Sequence, residues 1–196
     1  LSQAGVTMRH ALSGVGRNLQ DHLQQRAIFR VSGVKTLNET YHSLFGKAAM
    51  GLDYAIRRRG PLTMAPSQLG IFTRSEASRE RANLQFHIQP LSLDKFGDPL
   101  HRTHAITASA CNLAPTSRGT ITIPSPDPHA TPIIAPNYLS TDEDRRVAAA
   151  AIRVTRRLMA QPALEPFTPR ETLPGPAVSD SDEDLARAAG EIGTTI

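Results

Sequence analysis

The chain has 196 residues, 39% hydrophobic and 20% charged, and reads as one ordinary globular domain with enough apolar material for a core. No apolar run is long enough to cross a bilayer and residues 1–25 lack the order of a signal peptide, while the single cysteine, Cys111, excludes an internal disulfide and a thiolate metal site; a soluble cytoplasmic domain is expected. The formal charge of +4 raises nucleic acid as a partner, but aromatics at 5% offer few platforms for stacking bases, and the arginines cluster where helices place them, so no nucleic acid is expected.

The first notable stretch is Gly14-Val15-Gly16-Arg17-Asn18-Leu19-Gln20-Asp21-His22-Leu23-Gln24. Its two glycines lack the preceding strand, third glycine and following helix of a dinucleotide fingerprint, so a plain loop is the expectation. Asn18, Asp21 and His22 then satisfy their polar groups locally or offer them to a ligand. Ala27–Val31 is a possible strand. Asn38 has the character of an N-cap, and Tyr41, Leu44, Phe45, Ala48, Ala49, Leu52, Ala55 and Ile56 follow at helical spacing until Gly60 and Pro61, with Arg57, Arg58 and Arg59 complementing the helix dipole.

Beyond that helix the period changes. Leu69–Arg74, Leu84–Gln89, His104–Asn112, Thr120–Ile123 and Ile133–Tyr138 read as strands separated by Pro, Gly, Asp and Ser. A second helix begins near Ser140 and Thr141, with Glu143 and Asp144 as capping-box partners and a stripe of Val147, Ala151, Val154 and Leu158, and ends before Pro162. Arg145, Arg146, Arg153, Arg156 and Arg157 fall opposite that stripe. A third helix spans Asp182 to Ala189, capped by Ser179 or Ser181 and stopped by Gly190. Strands grouped between helices predict an α+β fold with a largely antiparallel sheet of about five to six strands.

Two histidines, His101 and His104, have metal-like spacing but no nearby Asp, Glu or Cys to complete a site, and no metal is expected. Within Leu84–Gln89, alternation sends Leu84, Phe86 and Ile88 to one face and Gln85, His87 and Gln89 to the other. That second face is either a solvated surface or a cavity wall with His87 placed to bond a substrate. No nucleophile elbow is present.

Taken together, residues Gly14–His22, Gly70–Ser75, Leu84–His87, Pro115–Thr120 and Pro136–Ser140, with Asp144 beyond, closely resemble the glucose–methanol–choline (GMC) oxidoreductases, in order along the whole chain. The resemblance implies an FAD enzyme that oxidises an alcohol by hydride transfer to the flavin, a histidine near the C-terminus taking the hydroxyl proton. It implies that this chain is the middle of such an enzyme, with no catalytic residue of its own. Residues 1–25 would be the segment leaving the FAD domain, with Gly14, Gly16, Asn18 and Asp21 at the junction. Residues 26–196 would form the substrate-binding domain. The base would lie in a His-Pro-x-Gly-Thr segment just after Ile196, and the dinucleotide fingerprint before Leu1, so the isolated chain would bind FAD poorly or not at all and would not turn over.

The same resemblance makes His22, Gln24, Ser67, Gln85, His87 and Gln89 candidates for lining the substrate pocket. Choline-oxidising members carry a glutamate at the position of Gln24 and an aromatic at that of Ser67, which together attract a trimethylammonium group. An amide and a hydroxyl there favour an uncharged primary alcohol. A choline enzyme and a non-catalytic binding module of the same fold are the alternatives.

Overall fold

The computed structural model describes residues 2–65, 67–94 and 97–195. Among the described residues there are eight strands: β1 Leu23–Arg30, β2 Leu69–Thr73, β3 Leu84–Gln89, β4 Ala105–Asn112, β5 Thr120–Thr122, β6 Ile133–Ala135, β7 Arg170–Leu173 and β8 Gly193–Thr195. Four α-helices among the described residues accompany them: α1 Leu37–His42, α2 Leu44–Arg57, α3 Asp142–Met159 and α4 Asp182–Glu191. The fold is α+β, built on a six-stranded sheet in the order β2-β3-β4-β1-β7, with β8 also pairing β1. Each of its pairings is antiparallel. β5 and β6 form a separate two-stranded sheet.

The central strand is longer than its sequence suggests. Ala27–Val31 was the expected extent because Gln24, Gln25 and Arg26 are three consecutive polar residues, yet all three are buried in β1. Their place in the middle of the sheet, with β4 on one side and β7 and β8 on the other, overrides the intrinsic preference. β7 and β8 escape the sequence reading because each is only three or four residues long and is defined by its partner.

One sheet face carries the core. Leu84, Phe86 and Ala110 pack against Val147 and Ala151 of α3, and Ala27, Phe29 and Ala108 pack against Met159. α3 turns a second side, through Ala148, Ala149 and Ile152, onto Leu185, Ala188 and Ala189 of α4. Its buried stripe is therefore wider than one facing a sheet alone. α4 is capped by the Ser181 side chain and runs past Gly190, which is an interior helical residue and not the stop.

The first helical segment differs most from expectation. Instead of one helix from Asn38 there are two, broken at Ser43, whose extended backbone (φ −92, ψ 125) lets its hydroxyl accept from the Gly46 N–H and cap α2. Thr36 stands at the α1 cap. Asn38 lies inside α1, fully buried: its amide donates to the Ser92 carbonyl and hydroxyl and to the His101 carbonyl, and its carbonyl accepts from the Ser92 N–H. These bonds fasten α1 to the loop between β3 and β4. α2 is amphipathic as predicted but has no buried residue; Leu44 is 83% and Phe45 90% exposed, and Leu52 and Ile56 lie on the surface with them. No helix among the described residues is long and apolar enough to cross a membrane.

Candidate functional site

The sheet face opposite α3 is polar and largely covered. Register aligns Gln24 with Cys111 and Cys111 with Gln85 in one row across β1, β4 and β3. Arg26, Ser109 and His87 form the next row, continued by Gly70 of β2. Ile28, Thr107 and Gln89 form a third. Since residues directly opposite one another share a face, these side chains point the same way. The loop between β3 and β4 runs along this face, held where the Thr107 hydroxyl donates to the Leu91 carbonyl at 2.8 Å.

Five of the six pocket candidates gather here. Gln24 and Gln89 are buried and Gln85 and His87 partly so; the Gln89 amide donates to the Ser67 hydroxyl at 3.1 Å, bringing Ser67 to the rim. The face is therefore not a solvated one. His22 immediately precedes β1 and is half-buried. Several polar atoms on this face are buried without a hydrogen-bond partner among the described residues: His87 Nε2, Gln89 Oε1 and Ser109 Oγ. Orphans of this kind cost about 1–3 kcal/mol each unless a ligand or water meets them, and they concentrate where a protein binds something. Arg26, 3% exposed, lies between Gln24 and Ile28, and burial pulls its guanidinium pKa below the ordinary value. The sequence reading missed Arg26 and Ser109. The alternation His22, Gln24, Arg26 was the available signal for the first; Ser109, within a run of small residues, offered none.

The junction candidates behave differently. Gly14 and Gly16 form a turn, closed by the Arg17 N–H donating to the Gly14 carbonyl at 3.0 Å, and Gly16 accepts from the Ile121 N–H at 2.9 Å. Gly16 has φ +76, and a Cβ there would stand 2.5 Å from the Ile121 carbonyl oxygen, so a turn against β5 accounts for it. Asn18 follows in the left-handed region at φ 58 and is exposed. Leu19 and Gly119 then exchange backbone hydrogen bonds of 3.0 and 2.8 Å.

Asp21 ends this segment in a cluster of its own. It accepts from the Tyr138 phenol, from the Thr195 hydroxyl at 2.7 Å and from the His22 N–H at 2.8 Å. Burial would raise its pKa, but these bonds outweigh burial and hold it below the usual carboxylate value. Burial first, then the bond to Asp21, pushes Tyr138 up from 10.0 to about 12. A raised folded-state pKa means that the stabilisation is complete below pH 10.0 and is lost as pH rises towards about 12. Tyrosinate absorbance is expected to show one late-ionising group near pH 12 that Tyr138→Phe abolishes; loss of an ordinary phase instead would contradict the Asp21 bond.

A second buried carboxylate anchors the start of α3. Asp144 accepts from the Thr116 and Ser117 N–H groups at 2.9 and 2.8 Å, from the Thr116 hydroxyl at 3.1 Å and from the Asn112 amide at 3.3 Å. Burial pushes its pKa up, and the Ser117 and Thr116 bonds bring it down below its ordinary value. Half of the expected capping box is present: the Thr141 hydroxyl accepts from the Asp144 N–H, while the Asp144 carboxylate turns to the 112–117 loop and Glu143 pairs with Arg79 and Arg146. A cavity of about 20 Å³, room for one water, separates the Asp21 and Asp144 clusters.

The two histidines with metal-like spacing part company. His101 bonds Ser92 and Asp94, and His104 faces Glu39 at 3.5 Å. Among the described residues no group of three or more His, Cys, Asp or Glu side chains could hold a metal ion. Four of the α3 arginines, Arg145, Arg146, Arg153 and Arg156, meet carboxylates, as where Arg156 grips Glu171 through two bonds of 2.9 and 3.0 Å.

Comparison with known proteins adds a match of residues 115–195 to the model described as GMC oxidoreductase. The chain is 35% identical over 187 residues to an alcohol dehydrogenase [acceptor] of Pseudomonas putida, covering 95% of this chain and 34% of that protein. It is 34% identical over 187 residues to an oxygen-dependent choline dehydrogenase of Proteus mirabilis, covering 94% of this chain and 33% of the other. The chain thus spans about a third of the length of these relatives. Among solved structures, a formate oxidase from Aspergillus oryzae studied for FAD modification superposes with a TM-score of 0.84 at 19% identity, over 99% of this chain and 38% of that one. Pyridoxine 4-oxidase from Mesorbium loti gives 0.72 at 22% identity, over 99% and 34% respectively.

Proposed function

We propose that this chain, which matches the GMC oxidoreductase model over residues 115–195, forms the substrate-side wall of an FAD-dependent enzyme of that family that oxidises a neutral primary alcohol to an aldehyde. The observation that carries this reading is the covered polar face of the sheet, where His87 Nε2, Gln89 Oε1 and Ser109 Oγ are left without partners among the described residues. In this reading residues 1–25 connect to the FAD-binding part of the same polypeptide and residues 26–196 are the substrate-binding domain of a cytoplasmic protein. Gly14 and Gly16 suit a turn and not a pyrophosphate cradle, so the cofactor is held elsewhere and the isolated chain neither binds it nor turns over. Bound FAD supplies the hydride acceptor.

The work of this chain is to bind and orient the alcohol and to keep water from it. His87, with Gln85 next on the same face of its strand and Gln24 two strands away on that face, offers groups that hydrogen-bond a hydroxyl. The pairing of Leu23 with Thr195 supports placing the proton-accepting histidine near His22 and Gln24, in the segment that follows Ile196. The exposed apolar residues of α2, and Ile133 and Ile134 of β6, suit burial against the FAD-binding part. Gln24 and Ser67 favour an uncharged alcohol over choline.

In the full-length protein His87→Ala is expected to lower alcohol kcat/KM about tenfold or more, the scale of one lost hydrogen bond to substrate, while flavin content stays unchanged. Wild-type kinetics in that variant would return His87 to a structural role. Rates on choline compared with aliphatic and aromatic alcohols separate the neutral-alcohol reading from the choline one, and absence of all turnover in the flavin-loaded protein favours a binding module.

A further inference from the structure

β7 does not follow β1 in a straight register. Ile28 lies opposite Leu173, and an uninterrupted ladder would set Phe29 against Thr172 and Arg30 against Glu171, an opposite-charge pair across the strands. Instead the register shifts by one residue after Ile28, so that Phe29 lies opposite Glu171 and Arg30 opposite Arg170. Thr172, the extra residue, is pinned by its hydroxyl, which donates to the Ile28 carbonyl at 3.1 Å. Glu171 thereby joins the face that packs on α3, where Arg156 grips it. Two arginines are left directly opposed on the other face, with Cβ atoms about 5 Å apart. Like charges in that position destabilise a sheet, and among the described residues neither Arg30 nor Arg170 has a carboxylate partner.

The two arginines line a cavity of about 310 Å³ together with Val31, Ser32 and Thr168. The Ser32 and Thr168 hydroxyls hydrogen-bond each other, and two hydroxyls that share one bond leave one O–H to donate to a third group. We propose that Arg30, Arg170, Ser32 and Thr168 form a binding site for the phosphoryl group of a small molecule. A guanidinium presents a planar fork that matches two phosphoryl oxygens, and an anion of nearly two charges between two such forks converts their repulsion into attraction. A single β-strand rises about 3.3 Å per residue, which sets Arg30 about 13 Å along β1 from Arg26 and the row that carries His87. The site is thus separate from the polar wall around His87 and stands whichever alcohol that wall accepts.

Calorimetric titration of the full-length, flavin-loaded protein tests it, with inorganic phosphate and phenyl phosphate as probes, acetate as the control and ionic strength held constant with sodium chloride. Phosphate is expected to fill one saturable site that acetate does not. Arg30→Gln and Arg170→Gln are each expected to weaken binding about tenfold or more, the scale of one lost charge-assisted contact, with flavin content unchanged. Arg170→Glu, which restores an opposite-charge pair with Arg30, is expected to abolish binding and to raise the unfolding midpoint measured without phosphate. Tighter binding of the ester identifies a phosphorylated organic molecule as the ligand, and equal binding identifies phosphate itself; both uphold the site. Absence of saturable binding to the wild type overturns the proposal. So does binding that is unchanged in both glutamine variants, which places the anion elsewhere, and so does acetate filling the site as well as phosphate, which reduces it to a generic positive patch.

Discussion

Asp144→Ala is expected to destabilise the chain by about 3–5 kcal/mol, the cost of removing one side of a buried charged network. Asp144 is 5% exposed, and four hydrogen bonds converge on its carboxylate from Asn112, Thr116 and Ser117. Truncation leaves two backbone N–H groups facing a cavity with no acceptor, and unties the 112–117 loop from the first turn of α3. Asp144→Asn keeps the shape but replaces an oxygen acceptor with a donor, so it is expected to recover only part of the loss. Because the folded-state pKa is depressed below its unfolded value, the carboxylate stabilises above its ordinary 3.8, and the contribution is lost as pH falls through the folded value. Urea unfolding at neutral pH measures the difference; a loss below about 1 kcal/mol would show that the carboxylate is not what holds the loop.

Gly119→Ala is expected to cost about 3 kcal/mol or more. A Cβ at this position would stand 2.2 Å from the Ala135 carbonyl oxygen and 2.6 Å from that of Pro136, both main-chain atoms that cannot rotate away. Relief requires the backbone to separate, at the expense of the pairing between Thr120 and Ala135 and of the hydrogen bonds that Gly119 exchanges with Leu19. Hydrogen exchange is expected to show faster amide exchange at Leu19, Gly119 and Ile121 in the variant, alongside a lowered unfolding midpoint. Wild-type stability would mean that the hairpin shifts freely.

Much of the architecture was legible in the amino-acid pattern. Alternation in Leu84–Gln89 assigned each face of β3 correctly, because a period of two leaves no other arrangement for that strand. The α3 stripe and the Ser181 cap were likewise readable from local rules. What failed depended on partners remote in sequence. Asn38 has the side chain of a cap, but Ser92 and His101 claim its amide. Gln24, Gln25 and Arg26 read as loop until two neighbouring strands enclose them. Ser43 fits the interior or the start of a helix equally by residue type, and only its backbone decides. For the candidate site, His87 and its two glutamine neighbours were visible in sequence and Arg26 was marked only by its alternation with His22 and Gln24, whereas Ser109 emerges only once the register joins β1 to β3 through β4.

The pairing of β1 with β8 bears on how the molecule is made. Leu23, Gln24 and Gln25 pair with Thr195, Thr194 and Gly193, so the first strand of this sheet in chain order keeps part of one edge open until the residues of β8 emerge. Its other edge waits for β4, some eighty residues on. Pairings this distant must close long loops before they return any stabilisation, which slows folding and leaves β1, with its buried Arg26, transiently bare. The strand that seats Arg26 on the polar face thus precedes every partner it has in the sheet and is the last to be enclosed.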